Sequence, residues 1–368
     1  MVGKGGRWLS RDGLLLSLSA FFADAGYQGV TALYPLFLVL ELHQSPFLYG
    51  LFTGLGFGIG SLFAFLGGRL GDRFAKKPII IIGNLGILLL AVSGLPTTPW
   101  VTGVLFMSGW WFRYLRTPPR RALLAQVTAP EHRTKVFGFL HALDIGGGLF
   151  SIVAAIILLL VGVSVPHIIL FAAIPLTIST LVLLPVGKSK LYPVEEPPPV
   201  NVSAEDTERY RRRQRRMFIA ILAAASLYGF SFYNLGFPVL SATTISKAMV
   251  AGLATYGLYL GVSAISGWLL GVRNMKGLRP LWQWGFLPSA GASFVIAVNA
   301  FLKGGAFAFY PGVAILGLGM GAVETYEPAL AASLRTTRNI STGMGWLSVA
   351  RNRAVRFEFH NGGFVCGG

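Results

Sequence analysis

The feature that most constrains this chain is a succession of apolar runs, most of about 20 residues, joined by short connections. The runs fall at about 13–40, 46–67, 78–96, 99–116, 136–162 and 165–186. After a polar stretch they resume at 217–240, 249–272, 281–302 and 304–327. A helix of that length crosses the ~30 Å hydrocarbon core of a bilayer. In lipid every backbone polar group must be satisfied within the protein, which a helix does segment by segment. The pattern predicts an all-α, polytopic membrane protein with about ten spans. Hydrophobic residues make up 54 % of the chain and charged residues 12 %, so a water-soluble bundle of the same helices is excluded.

The distribution of charge predicts the orientation. Alternate connections carry Arg69, Arg73, Lys76 and Lys77; then Arg113, Arg116, Arg120, Arg121, Arg133 and Lys135; then Lys188, Lys190 and the Arg209–Arg216 cluster; then Arg273, Lys276 and Arg279; then Arg335 and Arg338. The intervening connections carry only Lys247 and Lys303. Lysine and arginine stay on the cytoplasmic side, so the N-terminus and the basic connections are expected there, with the chain in the cell (inner) membrane. The net charge of +17 is then the lysine and arginine of cytoplasmic loops, and nucleic acid is not expected as a partner. Small-molecule substrate, protons and the bilayer are the expected partners of a monomer. The single Cys366 excludes an internal disulfide framework and a multi-cysteine metal site, and no cofactor is expected.

Residues 187–216 read as a cytoplasmic linker between an N-terminal six-helix half, 1–186, and a second half, 217–350. Glu195-Glu196-Pro197-Pro198-Pro199 is stiff and extended, and Glu205 to Arg216 reads as a surface helix. Asn201-Val202-Ser203 has the form of a glycosylation sequon but lies on the expected cytoplasmic side.

Between the second and third runs stands Gly67-Gly68-Arg69-Leu70-Gly71-Asp72-Arg73-Phe74-Ala75-Lys76-Lys77-Pro78. Read from Gly68, it resembles the loop signature of the major facilitator superfamily, G-x-L-a-D-R-x-G-R-R/K. Gly68, Leu70, Asp72, Arg73, Lys76 and Lys77 fit, and Ala75 replaces the second glycine. A second stretch looks like the loop between the fourth and fifth helices in a bacterial branch of that superfamily. It comprises Arg116-Thr117-Pro118-Pro119-Arg120-Arg121-Ala122-Leu123-Leu124-Ala125, then Pro130-Glu131-His132-Arg133, Phe137-Gly138 and Asp144.

The chain also echoes itself. Ala122-Leu123-Leu124-Ala125 with Gly138-Phe139-Leu140 recurs 207 residues later as Ala329-Leu330-Ala331-Ala332 with Gly345-Trp346-Leu347. Gly67, Leu70, Gly71, Arg73 and Lys76 recur 200 residues on as Gly267, Leu270, Gly271, Arg273 and Lys276. Two like-oriented halves are the parallel-repeat architecture of this superfamily. The resemblance implies a secondary active transporter of a small organic solute or drug, coupled to protons and working by alternating access. It implies that Asp72 meets the cytoplasmic end of an eleventh helix, with Gly68, Arg73, Lys76 and Lys77 completing a gating loop. Antiporters of the superfamily often carry a Gly-Pro pair where Ser151-Ile152 stands here.

Acidic residues inside a span are costly, ~2.5–3.5 kcal/mol on insertion scales, and mark function by default. Asp24 lies near the middle of the first run, with Tyr27 and Gln28 one turn on and on its face. It either takes part in proton coupling or substrate contact, or packs two helices as a hydrogen-bonded interior group. Asp144 shares a helix face with His141, where it serves a gate, an interhelix ion pair or the substrate. Glu324 and Glu327 share a face near the inner end of the tenth helix. Opposite Arg120 and Arg121 they form either an inter-half latch or solvated loop charge. Arg113 is expected near the cytoplasmic end of the fourth helix, and Trp110-Trp111 as a membrane anchor or core.

No H-E-x-x-H, G-x-S-x-G or Walker loop occurs, so an enzyme is not expected. The alternative to a transporter is a non-transporting sensor or scaffold, or an inactive gene product. An eleventh helix begins at Ser341-Thr342-Gly343-Met344-Gly345-Trp346-Leu347, but residues 351–368 turn charged and then glycine-rich. The expectation is a truncated or frame-shifted second half, with about ten spans, a partial eleventh and an atypical tail.

Overall fold

The computed structural model describes residues 8–192, 204–231, 236–275, 277–302, 309–334 and 339–352. Lys4, Arg7, the Glu195–Pro199 segment, Asn201, Lys276, Lys303, Arg335, Arg338 and the tail from Arg353, with Cys366, lie outside these residues. The regular structure of the described residues is all helical, with no strand among them.

The first set of helices is α1 (Arg11–Leu36), α2 (Pro46–Arg73), α3 (Lys76–Val92), α4 (Pro99–Gln126), α5 (Arg133–Leu160), α6 (Val165–Phe171) and α7 (Ala173–Leu183). The starts come from local chemistry. Ser10 caps α1 by accepting from the Gly13 N–H at 3.0 Å, and Ser45 caps α2 ahead of Pro46 at the first helical position. Pro35 has no N–H to continue the ladder, and α1 widens into a π turn over Phe37–Glu41. The run 165–186, expected as one helix, is two segments broken at Ala172. Pro175 cannot donate to the Phe171 carbonyl, which ends α6 there.

The second set is α8 (Ala204–Ser231), α9 (Gly236–Ser246), α10 (Met249–Arg273), α11 (Leu278–Pro280) running through a π segment (Leu281–Phe286) into α12 (Leu287–Phe301), α13 (Phe309–Ser333) and α14 (Ile340–Asn352). The surface helix expected at 205–216 is continuous with the apolar run that starts at Met217, because no proline or glycine separates them. Glu205–Arg209 and Glu208–Arg212 pairs at i,i+4 support its exposed first turns.

Packing within the sets repeats. α2 lies on α4 and, 200 residues later, α10 lies on α13. Between the sets α5 packs on α10 and α2 packs on α14. Gly138 of α5 and Gly271 of α10 set the first of these distances. A Cβ on Gly138 would lie 2.8 Å from the Gly271 Cα and 2.7 Å from the Gly267 carbonyl oxygen. Only glycine lets the two backbones meet there.

Large apolar side chains such as Leu62, Ile82, Phe150 and Phe294 point outward, as a lipid-facing surface requires. Among the described residues, five helical segments carry an apolar, charge-poor window long enough to cross a bilayer: Pro46–Arg73, Pro130–Leu160, Val165–Leu183, Met249–Arg273 and Leu278–Asn299. α1 and α4 are as long but more polar, and their polar residues turn inward.

Candidate functional site

The α4 sequence does not end where its apolar run ends. The helix continues through Pro118-Pro119 to Gln126, which moves Arg113 from the expected helix end to the fifteenth of 28 residues. Asp24 is the fourteenth of 26 residues in α1. Both therefore sit at mid-depth, beside a cavity of about 230 Å³ between the two sets of helices. α1, α2, α4 and α5 line it from one side and α8, α10, α13 and α14 from the other.

Asp24 is buried and accepts a hydrogen bond from Gln28 Nε2 at 3.2 Å through Oδ2, while its Oδ1 has no partner. Gln28 in turn accepts from the Tyr256 hydroxyl of α10 at 2.6 Å. Asp24 is thus tied through one amide to the opposite set of helices. Arg113 is packed among aromatic rings, 4.7 Å from the Tyr27 centroid, 4.9 Å from Trp110 and 5.9 Å from Tyr114. Trp110, expected as an anchor or core residue, is buried and lines the cavity.

Behind this site the first set is held by a buried polar network. Arg116, expected in a cytoplasmic connection, is fully buried and donates to Asn84 Oδ1. Asn84 donates to Ser179 Oγ at 2.9 Å, and Ser179 donates to the Ser19 carbonyl at 2.6 Å. α1, α3, α4 and α7 are joined by these side-chain hydrogen bonds, with the Arg116 Nε left as a buried donor without a partner.

At the basic end of the bundle the two sets interlock. The Asp72 carboxylate accepts from the backbone N–H of Ser341 at 3.0 Å and of Thr342 at 2.7 Å, at the N-terminus of α14. A carboxylate there meets both free donors and the positive end of the helix dipole. Gly68, one turn back, packs directly on Ser341. Of the other loop residues, Lys77 donates to the Leu184 and Val186 carbonyls after α7, at 2.6 and 2.9 Å. Arg73 lies over Phe74, and Lys76 is half-buried at the start of α3.

Of the four residues expected to form a latch, one pair crosses between the sets: Arg121 with Glu324. Arg120 instead pairs with Asp144 at 3.1 Å, within the first set. Glu327 pairs with Arg351, which also reaches Glu324, within the second set. Arg351 was expected to open the atypical tail, yet it and Asn352 belong to α14. A helix that continues past Ala350 carries the guanidinium to two carboxylates, Glu327 buried and Glu324 partly so. His141 meets Ser263 of α10 at 2.9 Å.

A family model for the Major Facilitator Superfamily matches residues 16–355. The chain belongs to the Major Facilitator Superfamily. It is accordingly an integral, multi-pass membrane protein. Among curated relatives, it is 29 % identical over 131 residues to the multidrug resistance protein MdtH of Proteus mirabilis, covering 33 % of this chain and 32 % of that protein. It is 30 % identical over 148 residues to MdtH of Yersinia enterocolitica, covering 39 % and 34 %. The chain thus matches about a third of the length of these relatives. Among solved structures it resembles the proton:xylose symporter XylE, with a TM-score of 0.72 at 13 % identity over 95 % of this chain and 88 % of that one. It also resembles the human organic anion transporter MFSD10, with a TM-score of 0.63 at 15 % identity over 94 % and 91 %. At such identities these two share the superfamily fold with this chain.

Sequence reading missed Tyr256, Arg113 and Trp110 as cavity residues. An aromatic residue in an apolar helix carries no mark of the side it faces. Arg113 was misplaced because a proline pair reads as a helix end.

Proposed function

We propose that this superfamily member is a secondary active transporter that carries a small organic solute by alternating access and couples it to protons. The chain is oriented with its basic connections and N-terminus in the cytoplasm of a cell with this as its inner membrane, and it works as a monomer. Asp24 is the proton site, with Tyr27, Gln28 and Asp144 beside the solute. Gly68, Asp72, Arg73, Lys76 and Lys77 form the gating loop, and Arg121 with Glu324 is the inter-half latch. Support comes from the relatives named multidrug resistance proteins and the structural neighbour named a proton symporter.

The observation that carries this reading is the Asp24–Gln28–Tyr256 chain. Ionised Asp24 accepts only, which fixes the Gln28 amide with its NH₂ toward Asp24 and its oxygen toward the Tyr256 hydroxyl. Protonated Asp24 donates, which lets the amide reverse and makes the Tyr256 oxygen the acceptor. One proton at mid-depth thereby changes a contact between the two sets of helices.

The test is reconstitution of the 368-residue chain in proteoliposomes under an imposed pH gradient. Solute-dependent proton flux is expected. Asp24→Asn keeps the shape and the hydrogen bond from Gln28 but cannot change charge, so gradient-driven accumulation should be lost. pH-dependent flux that survives in Asp24→Asn removes this residue from coupling, and no flux of any solute favours a sensor on the same fold. Orientation is read in a Cys366→Ser background. Lys247→Cys should label from outside, and Arg212→Cys only after permeabilisation, both positions being exposed.

A further inference from the structure

We infer that the cavity takes a small organic anion, its carboxylate held by Arg113 and its flat apolar body lying among the neighbouring aromatic side chains. This rests on the reading of the cavity as the transport site. Four arginines reach the cavity: Arg113, Arg120, Arg121 and Arg351. Three of them are matched by carboxylates, Arg120 by Asp144, Arg121 by Glu324, and Arg351 by Glu324 and Glu327. Arg113 makes no ion pair among the described residues, and its Nε is buried without a hydrogen-bond partner. The faces of Tyr27, Trp110 and Tyr114 surround it. Aromatic faces stabilise a cation without neutralising it, and beyond its contact with the Tyr27 hydroxyl the planar guanidinium keeps donors for a ligand.

Asp24, the remaining carboxylate of the lining, has an unpartnered buried oxygen of its own. When Asp24 carries a proton, Arg113 is the one uncompensated charge of the site. An anion completes the pairing, whereas an organic cation would meet the guanidinium unscreened. Phe57, Tyr256 and Tyr259 also line the space, which suits a flat organic body rather than a hydrated inorganic anion. The 230 Å³ volume lies below the ~300–1,000 Å³ of pockets for drug-sized ligands, so the solute is small.

Three probes of one shape separate the possibilities: 2-naphthoate, 2-naphthamide and 2-naphthylmethylammonium. Their binding to the purified 368-residue chain is measured by titration calorimetry. The carboxylate should bind at least ~10-fold more tightly than the amide, the scale of a charge-assisted contact. Arg113→Gln should erase that preference and Arg113→Lys retain part of it, with helicity by circular dichroism showing that both variants fold. Equal affinities, preference for the ammonium, or binding of none of the three overturns the assignment. Flux of the same probes in proteoliposomes distinguishes it from the transport reading. Ammonium flux without naphthoate flux leaves a transporter and removes the anion. Arg113-dependent naphthoate binding without flux of any probe leaves the anion site and removes the transport.

Discussion

At the scale of single residues, the site turns on one amide, Gln28, that joins Asp24 to the opposite set of helices. Tyr256 donates to Gln28 at 2.6 Å, and Gln28 donates to Asp24. Tyr256→Phe removes the donor and leaves a buried amide oxygen without a partner, at a cost of roughly 1–3 kcal/mol. The expected result is a lower proton-to-solute ratio in proteoliposomes, because Asp24 still titrates but no longer acts on the opposite set. An unchanged ratio would show that Gln28 does not relay the proton. Asp24 and Gln28 were legible in the sequence because a polar residue inside an apolar run has no cheap reason to be there. Tyr256 was not, since the tyrosine sits in an apolar helix that would pack equally well without its hydroxyl.

At the scale of elements, α2 and α14 show how a loop motif acts through helix geometry. Asp72 at the α14 N-terminus is an external cap, worth ~1 kcal/mol, or about fivefold in the population of the interlocked form. Asp72→Ala should weaken that contact by about this factor, read as faster labelling of a cysteine placed at Thr342. No change in labelling would mean that α14 is held by packing alone. Gly138 makes the complementary case on α5, where the neighbour is backbone. Gly138→Val forces the backbones of α5 and α10 apart and should lower thermal stability in detergent by roughly 1–3 kcal/mol. The Asp72 loop stood out in sequence because its small residues, acid and bases lie within twelve positions. The course of α4 did not, because packing against α2 and α3 carries it past Pro118-Pro119 while single-sequence rules end a helix there. Arg351 was misread for a related reason: the break in composition comes near Ala350, but the helix runs to Asn352.

At the scale of the whole molecule, two sets of helices with the same internal packing meet through α5 with α10 and α2 with α14. Alternating access requires the contacts at the basic end to be breakable at modest cost, and the charges there are arranged unevenly. Glu324 serves both Arg121 across the interface and Arg351 beside it. Arg121→Ala removes the crossing partner but leaves Glu324 paired with Arg351, so the basic end should open only slightly. Glu324→Ala leaves Arg121 and Arg351 facing each other across the interface, with Arg351 still held by Glu327. Like charges and an unpaired buried guanidinium then both oppose closure. The double variant removes that repulsion and should close again relative to Glu324→Ala alone. The order of opening is therefore wild type, Arg121→Ala, the double variant, then Glu324→Ala. Spin labels at Phe74→Cys and Arg273→Cys in a Cys366→Ser background, on the exposed ends of α2 and α10, report it as a shift toward longer distances. Equal effects of Arg121→Ala and Glu324→Ala, adding in the double variant, would mean that Arg351 plays no part and that the two sets are joined there by a simple pair.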